Sequence, residues 1–511
     1  MKVKIVLSLA VLLTSLLSYS SGFKIPNGPV GGSLEKTWQK LFKVPNSPKK
    51  PFEDILRARG INYRSPRKTK ILSDPSNSPF PVPSFHGYVP VRNSGTDDIF
   101  YWMFPAQNDP DNAPLLIWLN GGPGCSSEIG LFFELGPFNI TLDNKVVLNP
   151  ESWNQNANLL FVDQPIGVGF SHGKDSDLCR TEECVASRFG SFMQIFLNKL
   201  FQEFKGRKVY IAGESYAGNY IPFIASHLLD LQLEYLNLAG IAIGNGWTHP
   251  AVQYANYANF SLDPENVGYT KLSQQTFDQI NAPLQSCQSL IDVNYPTRVL
   301  PMLDFCEGLS SEIYLNQTTQ KLLFNLYDIR MECSEDDLCY DMTAIYNYIN
   351  SPAVLNQLQA DKYWEECSDD IFYSMNRIDA NRDVTPQLAR ILNADVPVLI
   401  YYGDKDYICN WFGGITYLKG VAWNHQQDFL AAPTVPEGDY GESMTAANLK
   451  FLRVFNAGHM VPTDQPVAAR QMIESFMQTA PEKSSKPAPG DLTAETIELT
   501  ERSMHLSLRH L

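Results

Sequence analysis

Three short segments of the 511-residue chain carry residue types that together can make a nucleophile. The first, Gly213-Glu-Ser-Tyr-Ala-Gly218, places Ser215 between small residues at the end of an apolar run. Small flanks allow a sharp strand-to-helix turn that leaves a hydroxyl exposed. The strict pattern G-x-S-x-G is not met, because Ala217 takes the last position; alanine is small enough to keep the packing. A serine hydroxyl attacks poorly unless a base takes its proton and an acid orients that base. Gly403-Asp-Lys-Asp406 supplies a carboxylate and Asn456-Ala-Gly-His459-Met an imidazole. Singly, each has a plainer reading: a chance G-x-S-x-[GA] string, a turn-forming aspartate, a hydrogen-bonded loop histidine. A fourth segment, Asn120-Gly-Gly-Pro-Gly-Cys-Ser-Ser127, has consecutive glycines whose backbone N–H groups can approach a developing oxyanion closely.

These residues need elements to hold them, and the hydropathy pattern supplies those. Continuous apolar runs at 114–119, 158–163, 208–212, 238–244, 396–402 and 449–455 are separated by helix-length stretches. That rhythm predicts buried parallel strands in an α/β sheet. Ile99–Phe104 reads as an extra strand at an antiparallel edge, and Asn219–Leu229 as the helix after Ser215. All four reactive segments follow strand ends, where open α/β sheets bind ligands. The order Ser, Asp, His is that of α/β-hydrolases. Between about 250 and 390 the strand rhythm stops, and that stretch reads as a largely helical insertion riding on the sheet.

Composition bounds the rest. Apolar residues make up 44% and aromatics 12%, enough for a sizeable core. The net charge of −15 divides into +11 over residues 1–70 and −26 beyond them. So acidic a body repels phosphate backbones and anionic membranes, which argues against nucleic-acid binding. Lys2 and Lys4 precede the apolar run Ile5–Leu17, the layout of a secretory signal peptide over 1–22, with no membrane association after its removal. Residues 23–80 read as a basic pro-segment able to cover the acidic cleft, 81–480 as the catalytic domain, and 481–511 as a disordered polar tail. Nine cysteines suit an oxidising lumen and leave one thiol over. Cys179/Cys184 and Cys333/Cys339 can close small loops, and Cys287 and Cys306 bracket a medium one; spacing alone leaves the pairing open. Asn139, Asn259 and Asn316 head N-glycosylation triplets. The eight histidines form no H-E-x-x-H, and there is neither a Walker loop nor a dinucleotide fingerprint. No metal or cofactor is therefore expected.

The long segments LIWLNGGPGCSS (116–127), LFFELGP (131–137), NLLFVDQPIGVGFS (158–171), GESYAGNYIP (213–222), GDKDYICNW (403–411) and NAGHMVPTDQP (456–466) together resemble the serine carboxypeptidases. The likeness covers roughly residues 85–478, and Ile408-Cys-Asn-Trp411 is most similar to the carboxypeptidase Y and cathepsin A branch. It implies an α/β-hydrolase fold and removal of C-terminal residues from peptides and proteins through an acyl-enzyme. By this resemblance Ser215 is the nucleophile, His459 the base and Asp406 its orienter, with Asp404 a structural neighbour. Gly122 and Tyr216 supply the oxyanion amides, and Asn120, Gly121, Glu134 and Glu214 hold the substrate's terminal carboxylate. Neighbouring buried glutamates raise each other's pKa, so an acidic optimum follows. Ile129 and Met460 fall at the pocket for the departing residue and favour hydrophobic ones. The family's bridges match Cys125–Cys367, Cys287–Cys306 and Cys333–Cys339; Cys179–Cys184 has no counterpart and rests on proximity. Two bridges of the nearest relatives have no match, which would leave the insertion less tightly held. Cys409 is left free near the pocket, and mercurial inhibition is its expected consequence. The resemblance favours a vacuolar or lysosomal lumen, with secretion open, and a monomer or homodimer. Competing readings are an acyltransferase on the same fold, a non-catalytic partner protecting lumenal enzymes, and a disulfide-rich ectodomain.

Overall fold

The computed structural model describes residues 66–71, 79–91, 97–294, 299–316, 318–319, 321–333, 339–376 and 381–479. The expected signal peptide, most of the basic arm and the C-terminal tail lie outside these residues.

The six apolar runs become six adjacent parallel strands. In chain order the strands are β1 (Thr69–Ile71), β2 (Ser84–Pro90), β3 (Asp98–Phe104), β4 (Leu115–Leu119), β5 (Phe138–Ile140), β6 (Val146–Leu148) and β7 (Asn158–Val162). They continue as β8 (Lys208–Glu214), β9 (Asn237–Gly244), β10 (Val398–Gly403), β11 (Val435–Glu437), β12 (Gly441–Ala446) and β13 (Leu449–Val454). Eleven form one sheet in the order β1-β2-β3-β7-β4-β8-β9-β10-β13-β12-β11. Strands β7 to β13 in that order run parallel. Both edges are antiparallel, β1-β2-β3 on one side and β12-β11 on the other. Strands β5 and β6 form a separate hairpin.

Successive side chains alternate between the faces of a strand, and here helices cover both faces, so every residue of β4 and β7 is buried. Leu115, Ile117 and Leu119 pack with Phe189, Ile221 and Ile224 of helices Glu182–Ile195 and Ala217–Leu231. Leu116 and Trp118 pack on the opposite side with Ile473 and Phe476 of helix Pro466–Thr479. The architecture is the expected α/β-hydrolase class.

The chain between β9 and β10 holds eight helices among the described residues, from Pro250–Leu262 to Thr385–Asn393. It has an apolar core of its own, including Tyr254, Leu284, Leu303 and Phe324, closed against the sheet by Tyr407. All four expected disulfides form: Cys125–Cys367, Cys179–Cys184, Cys287–Cys306 and Cys333–Cys339. The first ties the loop after β4 to the insertion. Flanking it, Ser126 N donates to Glu366 O at 2.8 Å and Ser368 N to Gly124 O at 2.8 Å.

The fold begins earlier than residue 81. Residues 66–71 and 79–80, assigned from sequence to the basic arm, belong to it: β1 pairs with β2, and Ile71 and Phe80 are buried. Arg67 forms an ion pair with Asp361 and lies 4.0 Å over the Tyr88 ring. These basic residues carry an anchoring task that a charge count cannot separate from a mobile arm.

Candidate active site

Strand β8 ends at Glu214 and helix Ala217–Leu231 begins three residues later, so Ser215 must turn the chain. It does so at φ +61°, a conformation unfavourable for a residue with a Cβ and typical of strain held at a functional site. The end of β9 and the chain beyond it brace the turn. Ser215 N donates to Gly244 O at 3.0 Å, and Trp247 N donates to Ser215 O at 2.8 Å. Gly213 makes the room, since a Cβ there would lie 2.2 Å from Leu119 O and 2.9 Å from the Ala217 methyl. The first glycine of the elbow therefore accommodates the alanine that replaces the last one. Pro222 deprives the Gly218 carbonyl of its helical donor, and the Thr248 hydroxyl serves it instead at 3.3 Å.

Asp406 and His459 follow β10 and β13 and meet in the interior. Asp406 Oδ2 lies 2.7 Å from His459 Nδ1, with both residues buried. Two further donors hold the carboxylate: Asn245 Nδ2 at 2.7 Å to the same oxygen and Cys409 N at 3.3 Å to the other. His459 is held from behind, its N–H donating to Tyr327 O at 2.7 Å and the Tyr327 ring 5.2 Å from its own. Ser215 and His459 line one cavity, without a hydrogen bond between them. Such bonds are often loose until substrate is in place.

The loop after β4 closes over the elbow. A Cβ on Gly121 would lie 2.4 Å from Tyr216 N and 2.8 Å from the Ser215 Cβ. Only glycine allows that approach, which brings the Gly121-Gly122 backbone against the Tyr216 amide. Beside it Asn120 is a junction: its Oδ1 accepts from Trp118 Nε1 at 2.8 Å and Gly130 N at 3.0 Å. With the amide thus oriented, Nδ2 donates to Glu134 Oε1 at 3.2 Å and Glu214 Oε1 at 3.0 Å. Burial pushes the Glu134 carboxyl up to about 7, and burial with the neighbouring Glu134 charge pushes Glu214 well above the carboxylate range. Two such carboxyls hold a proton between them in mildly acid solution.

The cavity gathers Asn120, Gly121, Gly122, Ile129, Glu214, Ser215, Tyr216, Cys409, His459 and Met460, while Glu134 and Asp406 stand behind it as hydrogen-bonded supports. The Asp406, Cys409 and His459 ligand atoms lie within 4.8 Å of one another. A metal ion there would have to replace the Asp406–His459 hydrogen bond. Of the glycosylation triplets, Asn316 is exposed; Asn259 sits in a helix ahead of the fully buried Ser261, and Asn139 is half-buried on β5.

Sequence reading missed Asn245, Trp247, Tyr254, Tyr327 and Glu307 around this cavity. A signal existed for Asn245 and Trp247, because Gly244-Asn-Gly-Trp247 also follows a strand end; the others come from the insertion, where no strand marks them.

A strained serine elbow, an aspartate–histidine pair and a glycine loop at the parallel centre of a mixed sheet define a hydrolase of the α/β-hydrolase class. The serine carboxypeptidase family model matches residues 75–479, and the chain belongs to that family. It is 34% identical over 468 residues to carboxypeptidase Y of Saccharomyces cerevisiae, covering 87% of this chain and 85% of that one. Carboxypeptidase Y of Candida albicans is 36% identical over 487 residues, 89% of this chain and 87% of the relative. A vacuolar serine-type carboxypeptidase of Saccharomyces cerevisiae is 36% identical over 472 residues, with 86% and 89% covered. Among solved structures, a Saccharomyces cerevisiae prohormone-processing carboxypeptidase superposes with a TM-score of 0.67 at 27% identity, over 79% of this chain and 92% of that one. Among the described residues no helix is long and apolar enough to cross a membrane.

Proposed function

We propose that the protein removes C-terminal residues from peptides and proteins at acid pH, with Ser215, His459 and Asp406 as catalytic triad. The observation that carries this reading is His459, bonded to Asp406 at 2.7 Å, sharing a cavity with a serine at φ +61° and with an asparagine that bonds two buried glutamates. His459 Nε2 takes the Ser215 proton as Oγ attacks the last peptide carbonyl; Asp406 orients the ring and stabilises the imidazolium. The Gly122 and Tyr216 amides receive the oxyanion. The tetrahedral adduct expels the terminal amino acid as its nitrogen takes the proton from His459, and water then hydrolyses the Ser215 ester by the reverse proton path. Asn120, Gly121 and the Glu134/Glu214 pair recognise the terminal carboxylate, the pair donating its shared proton. As pH rises through about 7 Glu134 ionises, and the growing negative charge of the pair repels that ligand. The apolar side chains of Ile129 and Met460 favour hydrophobic departing residues. The vacuolar relative supports a vacuolar lumen, reached through the signal peptide at 1–22, with the part of the basic segment ahead of residue 66 removed on maturation.

A fluorophosphonate at pH 5 is expected to label Ser215 in the processed protein and to spare Ser215→Ala. A blocked dipeptide and its C-terminal amide separate carboxylate recognition from chemistry. KM for the free acid is expected to rise roughly tenfold from pH 5 to 8 while that for the amide stays level. Absence of labelling removes the hydrolase chemistry, and a flat KM for the acid removes the role of the glutamate pair.

A further inference from the structure

The cavity that holds Ser215, His459, Asn120 and Glu214 is also lined by Trp247, Tyr254, Tyr257, Tyr407 and Glu307. Trp247, whose N–H braces Ser215, contacts the Tyr254 ring at 5.3 Å, and Tyr254 contacts Tyr257 at 5.7 Å. Tyr257 in turn stacks on Tyr407 at 4.7 Å. This aromatic arm ends at Glu307 on helix Val299–Tyr314, which accepts a hydrogen bond from the Tyr254 hydroxyl at 3.1 Å on one oxygen. Its other oxygen makes no hydrogen bond among the described residues, and the side chain lines the cavity. The preceding residue, Cys306, is bridged to Cys287, which pins this turn of the helix.

In a peptide bound for C-terminal cleavage the terminal carboxylate lies on Asn120 and the departing side chain against Ile129 and Met460. The residue on the acyl side of the scissile bond must then send its side chain into the remaining arm, whose walls are rings and whose end is a carboxyl. An apolar stem with a cationic tip matches that profile: rings accept methylenes, stabilise a cation at their faces, and leave the head for the carboxylate.

We propose that Glu307 is a specificity-determining residue, selecting peptides with lysine or arginine at the penultimate position. This rests on the carboxypeptidase reading of the same site. The groups facing Glu307 are Tyr254 from helix Pro250–Leu262 and, on its own helix, Asp304 and Tyr314. None of these is cationic, so among the described residues around Glu307 the substrate brings the positive charge. Burial, reinforced by Asp304, lifts the Glu307 carboxyl to about 7, so the preference grows as pH rises from 5 to 7.

The test uses N-blocked dipeptides ending in leucine, with lysine, norleucine or glutamate as the penultimate residue, on the processed enzyme. Norleucine matches the lysine stem without its charge. The expected order of kcat/KM at pH 6 is lysine, norleucine, glutamate, with lysine about tenfold or more above norleucine. In Glu307→Gln the lysine-to-norleucine ratio is expected to fall to about one or below, fluorophosphonate labelling reporting that the variant is folded. Wild-type enzyme that cleaves norleucine as well as lysine overturns the inference and leaves the peptidase reading intact. An unchanged ratio in Glu307→Gln overturns it as well. Labelled enzyme that cleaves none of the peptides overturns the carboxypeptidase reading and this inference with it.

Discussion

Two buried pairs of carboxyl groups join the segment after β4 to the ends of β8 and β7, and they differ in what holds each pair together and in what each can reach. Glu134 and Glu214 are bridged by the Asn120 amide, whose two N–H bonds serve one glutamate each. Glu128 and Asp163 are bridged by the Ser126 hydroxyl, at 2.6 and 2.7 Å. That hydroxyl also accepts from Trp364 Nε1 at 2.7 Å and Glu128 N at 3.2 Å. Its single proton can go to only one carboxylate, and the two carboxyls are also hydrogen-bonded to each other, a contact that needs a proton on Glu128 or Asp163. Glu128 is fully buried and pushed well above the carboxylate range, first by burial and then by the Asp163 charge. Glu214 opens onto the cavity, whereas neither Glu128 nor Asp163 lines it. A proton held by the first pair can be offered to a ligand. The second can spend its proton only on the fold, joining the glycine loop to Trp364 of the insertion and to the end of β7.

The largest expected effect of that division is on stability. Asp163 accepts from Ser126 Oγ, from Ser127 N at 3.1 Å and from Phe170 N at 2.7 Å. Asp163→Ala strands these buried donors and is expected to cost about 3 kcal/mol or more in denaturant unfolding at pH 5. A loss below about 1 kcal/mol would show that the sealed pair is not a structural clasp.

The second effect separates the pairs by pH. A carboxyl whose pKa is raised in the folded state binds its proton more tightly there than when unfolded. Its contribution to stability is therefore complete below the unfolded value and is lost as pH rises through the folded one. For Glu134 that window runs from about pH 4.5 to about 7, and Glu128 shifts in the same direction. Unfolding free energy is expected to fall across this window, and either Glu128→Gln or Glu134→Gln should flatten the fall by on the order of 1 kcal/mol. Only Glu134→Gln should also flatten the rise in KM for a free-acid peptide. If Glu128→Gln flattens the KM profile equally, the functional distinction between the pairs is wrong.

Much of this arrangement was legible in the sequence because its chemistry sits beside strand ends. Ser215, Asp406, His459 and Asn120 each follow an apolar run, and a run buried on both faces is hard to mistake. Strands β1 and β2 were not visible: β1 is three residues in a basic stretch, and β2 carries Gly87 and flanking prolines. The second carboxyl pair was hidden for another reason. Ser126 meets Trp364 across 238 positions and Asp163 across 37, and Asn245 meets Asp406 across 161. No periodicity encodes such partners, since each depends on how loops converge once the sheet has formed. Glu307 is the extreme case, a glutamate in a helix whose neighbours become meaningful only when the insertion closes over the elbow.

The smallest effect tests which pair the cavity senses. Cys409 is buried, and its thiol is pushed well above the usual range by burial first, then by the charges of Asp406 and Glu214. Neither Glu128 nor Asp163 contributes to that shift. Alkylation needs the thiolate, so iodoacetamide should react slowly with Cys409, while a mercurial, which bonds directly to sulfur beside His459, should inhibit readily. Removing the Glu214 charge relieves part of the repulsion felt by a thiolate. Glu214→Gln is expected to speed alkylation of Cys409 about threefold at pH 8, and Glu128→Gln to leave the rate unchanged. Mass spectrometry of the Cys409 peptide over time gives both rates. Equal acceleration by the two substitutions would mean that the second pair acts on the cavity after all, through the loop it clasps, and that the division between a functional and a structural pair does not hold.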